Sequence, residues 1–161
     1  MRHLILLLIV TISFLLAGFP DEVTDIDGTL IDLKKLTTQK RVVVITIKTA
    51  ECPVCQQQLI RINEQLHELA ACNVTFLVLS PGSVEEIRKA KAITKFPFPF
   101  IMDKDLAISK SLDLVVNEKQ ILPSILILNE TLDIEWEQRG RNAFFFGDPE
   151  LMKTLRCSSW I

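Results

Sequence analysis

The sequence predicts an α/β domain built on a mixed central sheet with helices on both faces. Three observations carry this. Residues 42–47, 74–80 and 124–128 are near-continuous apolar runs, the pattern of strands covered on both sides. A helical repeat of apolar residues follows the first run, and a capping box opens a helix after the second. The last run leads through a turn into an alternating stretch, residues 132–136, that suits an antiparallel strand with one wet face.

The chain has 161 residues with 48% hydrophobic and 24% charged, a globular composition. Acids and bases are interleaved around a net charge of −2, so no basic patch for nucleic acid forms. Neither G-x-G-x-x-G nor G-x-x-x-x-G-K occurs, which argues against nucleotide binding. Residues 1–20 read as a signal peptide or N-terminal membrane anchor: Arg2, an apolar run over residues 4–16, then the small pair Ala17 and Gly18. Residues 21–161 then form the domain, placed outside the cytoplasm, periplasmic or extracellular, whether soluble or held at the membrane by its N-terminus.

Along the chain, residues 23–26 and 29–33 read as an N-terminal hairpin with a tight Asp27-Gly28 turn. Residues 25–30 also match the D-x-D-G-T-L nucleophile motif of haloacid-dehalogenase-type phosphatases. That chemistry needs the first Asp at the end of a buried strand. The polar stretch before Asp25 is no such strand, so the turn reading stands. Residues 36–41 read as a charged link before the first buried strand. Gln56 opens a helical pattern to Ala71, with Leu59, Ile62, Leu66 and Leu69 on one stripe. After the second strand, Pro81 and Gly82 break the chain, and Ser83 with Glu86 forms a capping box for a helix to about residue 95. Prolines 97 and 99 hold residues 96–102 extended, a short helix follows over 105–112, and Asp148-Pro149 opens a last helix.

The functional signal is Cys52-Pro53-Val54-Cys55, at the junction of the first strand and its helix. A thiolate is the nucleophilic form of cysteine, and the unpaired N–H groups of a helix N-terminus favour it. Cys52 precedes the helix, Pro53 suits its first position, and Cys55 lies one turn in. Cys52 is therefore the candidate attacking thiolate and Cys55 the resolving thiol. Lys48 favours the thiolate if close and Glu51 disfavours it, so these two, with Thr49, are candidate tuning residues. A zinc half-site would need a second Cys or His pair at ligand spacing, and a purely structural disulfide over two residues would constrain little. His67 stands alone and reads as a solvated helix residue. No metal or other cofactor is expected. The expected partners are protein thiols or disulfides, with a membrane electron donor as a candidate source of electrons. Asn73 and Asn129 fall in glycosylation sequons, and residues 144–146 (Phe-Phe-Phe) read as core filling.

These residues resemble the thioredoxin-like superfamily. The strand at 42–47, the Cys-Pro-Val-Cys motif and the helix after it carry the likeness. Residues 98–105 and 107–112 look like the corresponding stretch of redoxins, the group that holds peroxiredoxins and exported thioredoxin-like proteins. The motif is also similar to that of exported accessory redoxins of methylamine dehydrogenase maturation. The resemblance implies a three-layer fold over roughly residues 24–155 and a redox-active Cys pair. It implies further that Ile121-Leu122-Pro123-Ser124 is a cis-proline loop facing the cysteines, with Leu122 and Pro123 lining a substrate groove and the Leu122 backbone free for strand addition. It places the helices ending at Cys72 and before Cys157 on one face, where a second disulfide stands beside burial and a free thiol as open readings. The departures matter too. Glu51 replaces the Trp usual in thioredoxins. Thr49 matches the peroxiredoxin P-x-x-x-T-x-x-C pattern, but Ile45 replaces its Pro, and Pro123 lies where those enzymes carry Arg; Arg139 and Arg141 come later. A thiol–disulfide oxidoreductase is the first reading. A thiol peroxidase using Cys52 is the alternative, and a non-catalytic assembly protein with a fixed disulfide the third.

Overall fold

The computed structural model describes residues 18–69, 72–140 and 148–155. At its centre is a five-stranded sheet built around β3 (Arg41–Thr46), whose last five residues are all buried. β4 (Val74–Ser80) lies parallel to β3, and β5 (Phe100–Met102) parallel to β4. On the other side of β3 runs β8 (Ser124–Leu128), antiparallel, followed by β9 (Ile134–Arg139), also antiparallel. The order β5-β4-β3-β8-β9 is the mixed sheet expected from the sequence.

The apolar runs are explained by two cores. Val43, Ile45 and Phe76 face α2 (Pro53–Glu64), α4 (Val84–Thr94) and α6 (Asp148–Leu155), through Leu59, Ile87, Leu151 and Leu155. Val42, Val44, Leu77 and Leu126 face the opposite side, where α1 (Leu33–Gln39) and α5 (Ala107–Ser111) contribute Leu33, Leu36 and Ile108. Alternate residues of one strand thus enter different cores, so a strand buried on both faces must be apolar throughout. Both faces carry helices, which gives the expected three layers.

Several local expectations need correction. The N-terminal hairpin exists as β1 (Glu22–Thr24) and β2 (Leu30–Asp32), but its loop is five residues, not a two-residue turn. The Asp25 carboxylate accepts from the N–H groups of Asp27 and Thr29, at 2.9 and 2.8 Å, and holds the wider loop. That use of Asp25 agrees with the turn reading of the phosphatase-like motif. The predicted charged link holds most of helix α1, because the Asp32 carboxylate caps it by accepting from Lys35 N–H. The long helix over 56–71 breaks at Gln65, whose N–H turns to Ile62 O, before α3 (Leu66–Leu69). Before α5, the 3₁₀ turn Lys104–Leu106 carries Asp105 and Leu106 with left-handed φ of 55° each. A small hairpin, β6 (Val115–Asn117) with β7 (Gln120–Ile121), was not expected from the sequence. Phe19, assigned to the leader, is buried in the second core and donates its N–H to Leu132 O at 3.2 Å, so the packed body already includes it. Residues 144–146 lie outside the described residues.

Candidate active site

β3 is the central strand, and the Cys pair sits where it ends. The chain leaves β3 after Thr46, turns over residues 48–51, and enters α2. The turn closes by Cys52 N–H donating to Thr49 O at 3.2 Å. Cys52 is the N-cap of α2 and Pro53 occupies the first turn, as the motif predicts. Cys52 Sγ accepts the Cys55 N–H at 3.3 Å, a helix N-terminal donor that would equally serve a thiolate. Cys52 and Cys55 form a disulfide with their Cα atoms 5.2 Å apart.

The two sulfurs are not equivalent. Cys55 is fully buried, in the core with Leu59 and Ile45, and its Sγ accepts the Lys48 N–H at 3.4 Å. Cys52 is only partly buried against that core. An incoming partner therefore meets Cys52 first, with Cys55 behind it. Next to them, Pro53 is exposed and Val54 is 47% exposed, an apolar rim beside the reactive sulfur.

The segment containing Leu122 and Pro123 also reaches the end of β3. β8 is antiparallel to β3 with Thr46 opposite Ser124, which brings residues 121–123 to the end of the central strand. Ile121 N–H donates to Lys48 O at 3.3 Å. The expected cis bond is absent: the Leu122–Pro123 peptide is trans. The Leu122 backbone is not free either. Its N–H donates to Leu114 O at 2.6 Å, and its carbonyl accepts from Thr46 Oγ1 at 2.7 Å and Ser124 Oγ at 3.3 Å. The hairpin β6–β7 and the buried Thr46 hydroxyl satisfy the groups that strand addition would have used.

Of the predicted tuning residues, Lys48 reaches the pair through its backbone N–H, and Thr49 through its carbonyl. Glu51 is exposed. Its charge acts on Lys89 of α4, whose pKa is raised mainly by the hydrogen-bonded Glu85 carboxylate, with Glu51 adding to it. Arg139 donates to the carbonyls of Leu112 and Asp113 and to Glu137, so its guanidinium is engaged there; Arg141 lies outside the described residues.

Three further residues support the site: Thr46 and Gln56, given no role from the sequence, and Asp103, which lies in the redoxin-like stretch. Thr46 fixes the Leu122 carbonyl, Gln56 donates from Nε2 to Ala50 O at 2.8 Å and braces the turn before Cys52, and buried Asp103 holds the loop after β5. The Asp103 carboxylate accepts from Ile108 N–H at 2.9 Å, Ser109 N–H at 3.0 Å and the Ser109 hydroxyl. The lone hydroxyl closing an otherwise apolar strand was the available signal for Thr46. A cleft of about 660 Å³ opens beside the Cys pair, between the Thr49–Glu51 turn, Gly82, the loop of Lys104 and Asp105, and the β6–β7 turn. It lies outside the carboxyl ends of the parallel strands β3, β4 and β5, where α/β sheets place ligands.

Cys72 is disulfide-bonded, and Cys157, its candidate partner in one of the open readings, lies outside the described residues. His67 is exposed and pairs with Glu68 at 3.8 Å. No group of three or more His, Cys, Asp or Glu suited to a metal ion occurs among the described residues. Among them, no helix is long and apolar enough to cross a membrane.

A mixed sheet with helices on both faces and a Cys pair capping the helix after its central strand defines a thiol-redox protein of the thioredoxin-like class. More narrowly, the AhpC/TSA family model matches residues 18–137, and the chain belongs to that family. The solved structures bear out the fold. Peroxiredoxin Q of Xanthomonas campestris superposes with a TM-score of 0.73 at 21% identity, covering 88% of this chain and 93% of that one. Peroxidoxin BcpB of Mycobacterium tuberculosis gives 0.71 at 17%, covering 87% and 92%. A secreted Mycobacterium tuberculosis disulfide oxidoreductase, described as homologous to E. coli DsbE, gives 0.66 at 17%, covering 86% and 95%. No curated protein sequence matches the chain.

Proposed function

We propose that this chain is an exported thiol–disulfide oxidoreductase that exchanges disulfides with protein partners through Cys52 and Cys55. The observation that carries this is the asymmetry of the pair: Cys52 partly open at a helix N-cap, Cys55 wholly buried behind it. In the reduced protein, the Cys52 thiolate attacks one sulfur of a partner disulfide. A Cys52–partner bond forms, and the other partner sulfur leaves as a thiolate. The Cys55 thiolate then attacks Cys52 Sγ, the Cys52–Cys55 bond forms, and the second partner sulfur leaves. Two electrons have passed to the partner, and the reverse sequence oxidises a partner dithiol. Export rests on the apolar segment with Arg2 at the start of the chain. A membrane electron donor would suit the reducing direction.

Thiol peroxidase is the second reading, favoured by Thr49 three residues before Cys52 and by the peroxiredoxins among the similar folds. Against it, Arg139 is committed to the Leu112 and Asp113 carbonyls, and Ile45 is buried within the strand. Replacing Cys52 with Ser should abolish exchange, while Cys55→Ser should accumulate mixed disulfides on Cys52. Both are read by thiol trapping and disulfide-reductase assay. Full reductase activity in Cys52→Ser sinks the proposal. Rapid stoichiometric oxidation of Cys52 by low-micromolar peroxide, with sluggish protein exchange, would favour the peroxidase.

A further inference from the structure

We propose that the cleft beside Cys52 is a docking site for an extended partner segment with basic side chains next to its cysteine. This rests on the exchange function above. A partner delivering a disulfide to Cys52 needs a hold on the protein, and the Leu122 and β5 backbones offer none. The Leu122 N–H and carbonyl are both taken. The outer side of β5 is taken as well, because Ile26 N–H donates to Phe100 O and Asp25 bridges to Ile101. Strand addition at Leu122 and along β5 is therefore closed, and the cleft offers side-chain recognition instead.

The cleft begins at the Thr49–Glu51 turn that leads into Cys52, and its volume of about 660 Å³ suits a peptide segment rather than a peroxide. Its charges set the sign of the ligand. Glu51, Glu86, Asp105 and Glu118 line it against Lys104 and Lys119. Glu86 is held by the Ser83 N–H and hydroxyl, and it also attracts Lys119. Glu51 faces Lys89, but that ammonium is already tied to Glu85 at 3.0 Å. Carboxylates therefore outnumber ammonium groups around the cleft, and a basic segment is steered and held there while an acidic one is repelled.

The test uses the full chain in its reduced form with three disulfide-linked peptide dimers, whose cysteine is flanked by Lys, by Gln or by Glu. Oxidation of Cys52 is followed by stopped flow. The expected order is Lys over Gln over Glu, with about tenfold between the extremes at low salt and much less in high salt. Peptide charge also alters the peptide's own sulfur chemistry, but equally for every protein variant. The cleft is therefore read from how the Lys-to-Glu rate ratio changes with the protein. Glu118→Lys, on the exposed β6–β7 turn, should collapse or invert that ratio, and Asp105→Asn should lower it. A ratio identical in wild type and in both variants overturns the proposal while leaving exchange intact. No exchange with any of the three peptides overturns the oxidoreductase reading and this one together.

Discussion

The turn in front of the Cys pair and the loop behind it are both short irregular segments at the end of the central strand, yet they are built in opposite ways. In front, residues 48–51 are held by backbone bonds and by the Gln56 brace, and they open onto a charged cleft. Behind, residues 121–124 are saturated: every Leu122 backbone group has a partner, and Thr46 and Ser124 are buried. The difference teaches which side of the disulfide can admit a partner. The segment of Leu122 is closed to a partner's backbone, and the turn before Cys52 is the side that opens onto a cleft.

Asp103 is the strongest way to break that contrast from the front. Its buried carboxylate gathers two N–H groups and a hydroxyl, and so fixes the Lys104–Leu106 turn with its two left-handed residues. Asp103→Ala should cost about 3 kcal/mol, because those donors are stranded in a buried site. Urea denaturation measures the loss. Faster hydrogen exchange at Ile108 and Ser109, with no change at Leu122, would localise it to the front wall.

Thr46→Val tests the rear with a smaller effect. The side chain keeps its shape but no longer donates to the Leu122 carbonyl, which costs about 1.5 kcal/mol in the same denaturation experiment. Exchange at the Leu122 amide should quicken, because its bond to Leu114 O then closes a looser loop. An unchanged midpoint and unchanged Leu122 exchange would show that the rear does not depend on Thr46.

Much of this was legible in the sequence because two signals were strong. Apolar runs that feed two cores have no polar face to confuse them, so residues 42–47, 74–80 and 124–128 all lie in the central sheet apart from Ile47, one residue past β3. Cys52 with Pro53 reads as an N-cap because their chemistry is local to the helix start. What failed depended on contacts distant in sequence or on side chains competing with short turns. α1 was hidden because its repeat is only seven residues and its cap, Asp32, sat in a predicted strand end. The engaged Leu122 backbone depends on Thr46 and Leu114, and nothing local to Pro123 announces it. Asp103 stands in the redoxin-like stretch of residues 98–105, but its role shows only when the loop after it folds back onto the carboxylate.

The smallest effect is expected at the α4 end of the front wall, and its sign follows from Glu86. The Ser83 N–H and hydroxyl donate to the Glu86 carboxylate, and this holds its pKa below the ordinary value of 4.5. A carboxyl whose pKa is lower folded than unfolded binds fewer protons in the native state. It therefore stabilises the fold above the unfolded value, and that contribution is lost as pH falls through the folded one. Glu86→Gln keeps an acceptor for the capping box but removes the charge. At neutral pH the variant should denature at a slightly lower urea concentration than the wild type, by less than either buried substitution. The gap should close as pH falls through the lowered folded pKa of Glu86, where the carboxyl itself is protonated. The Ser83 cap, which accepts from Glu86 N–H at 3.3 Å, persists in both proteins, so a gap that stayed constant down to acid pH would mean that helix geometry sets this end of the cleft and charge does not.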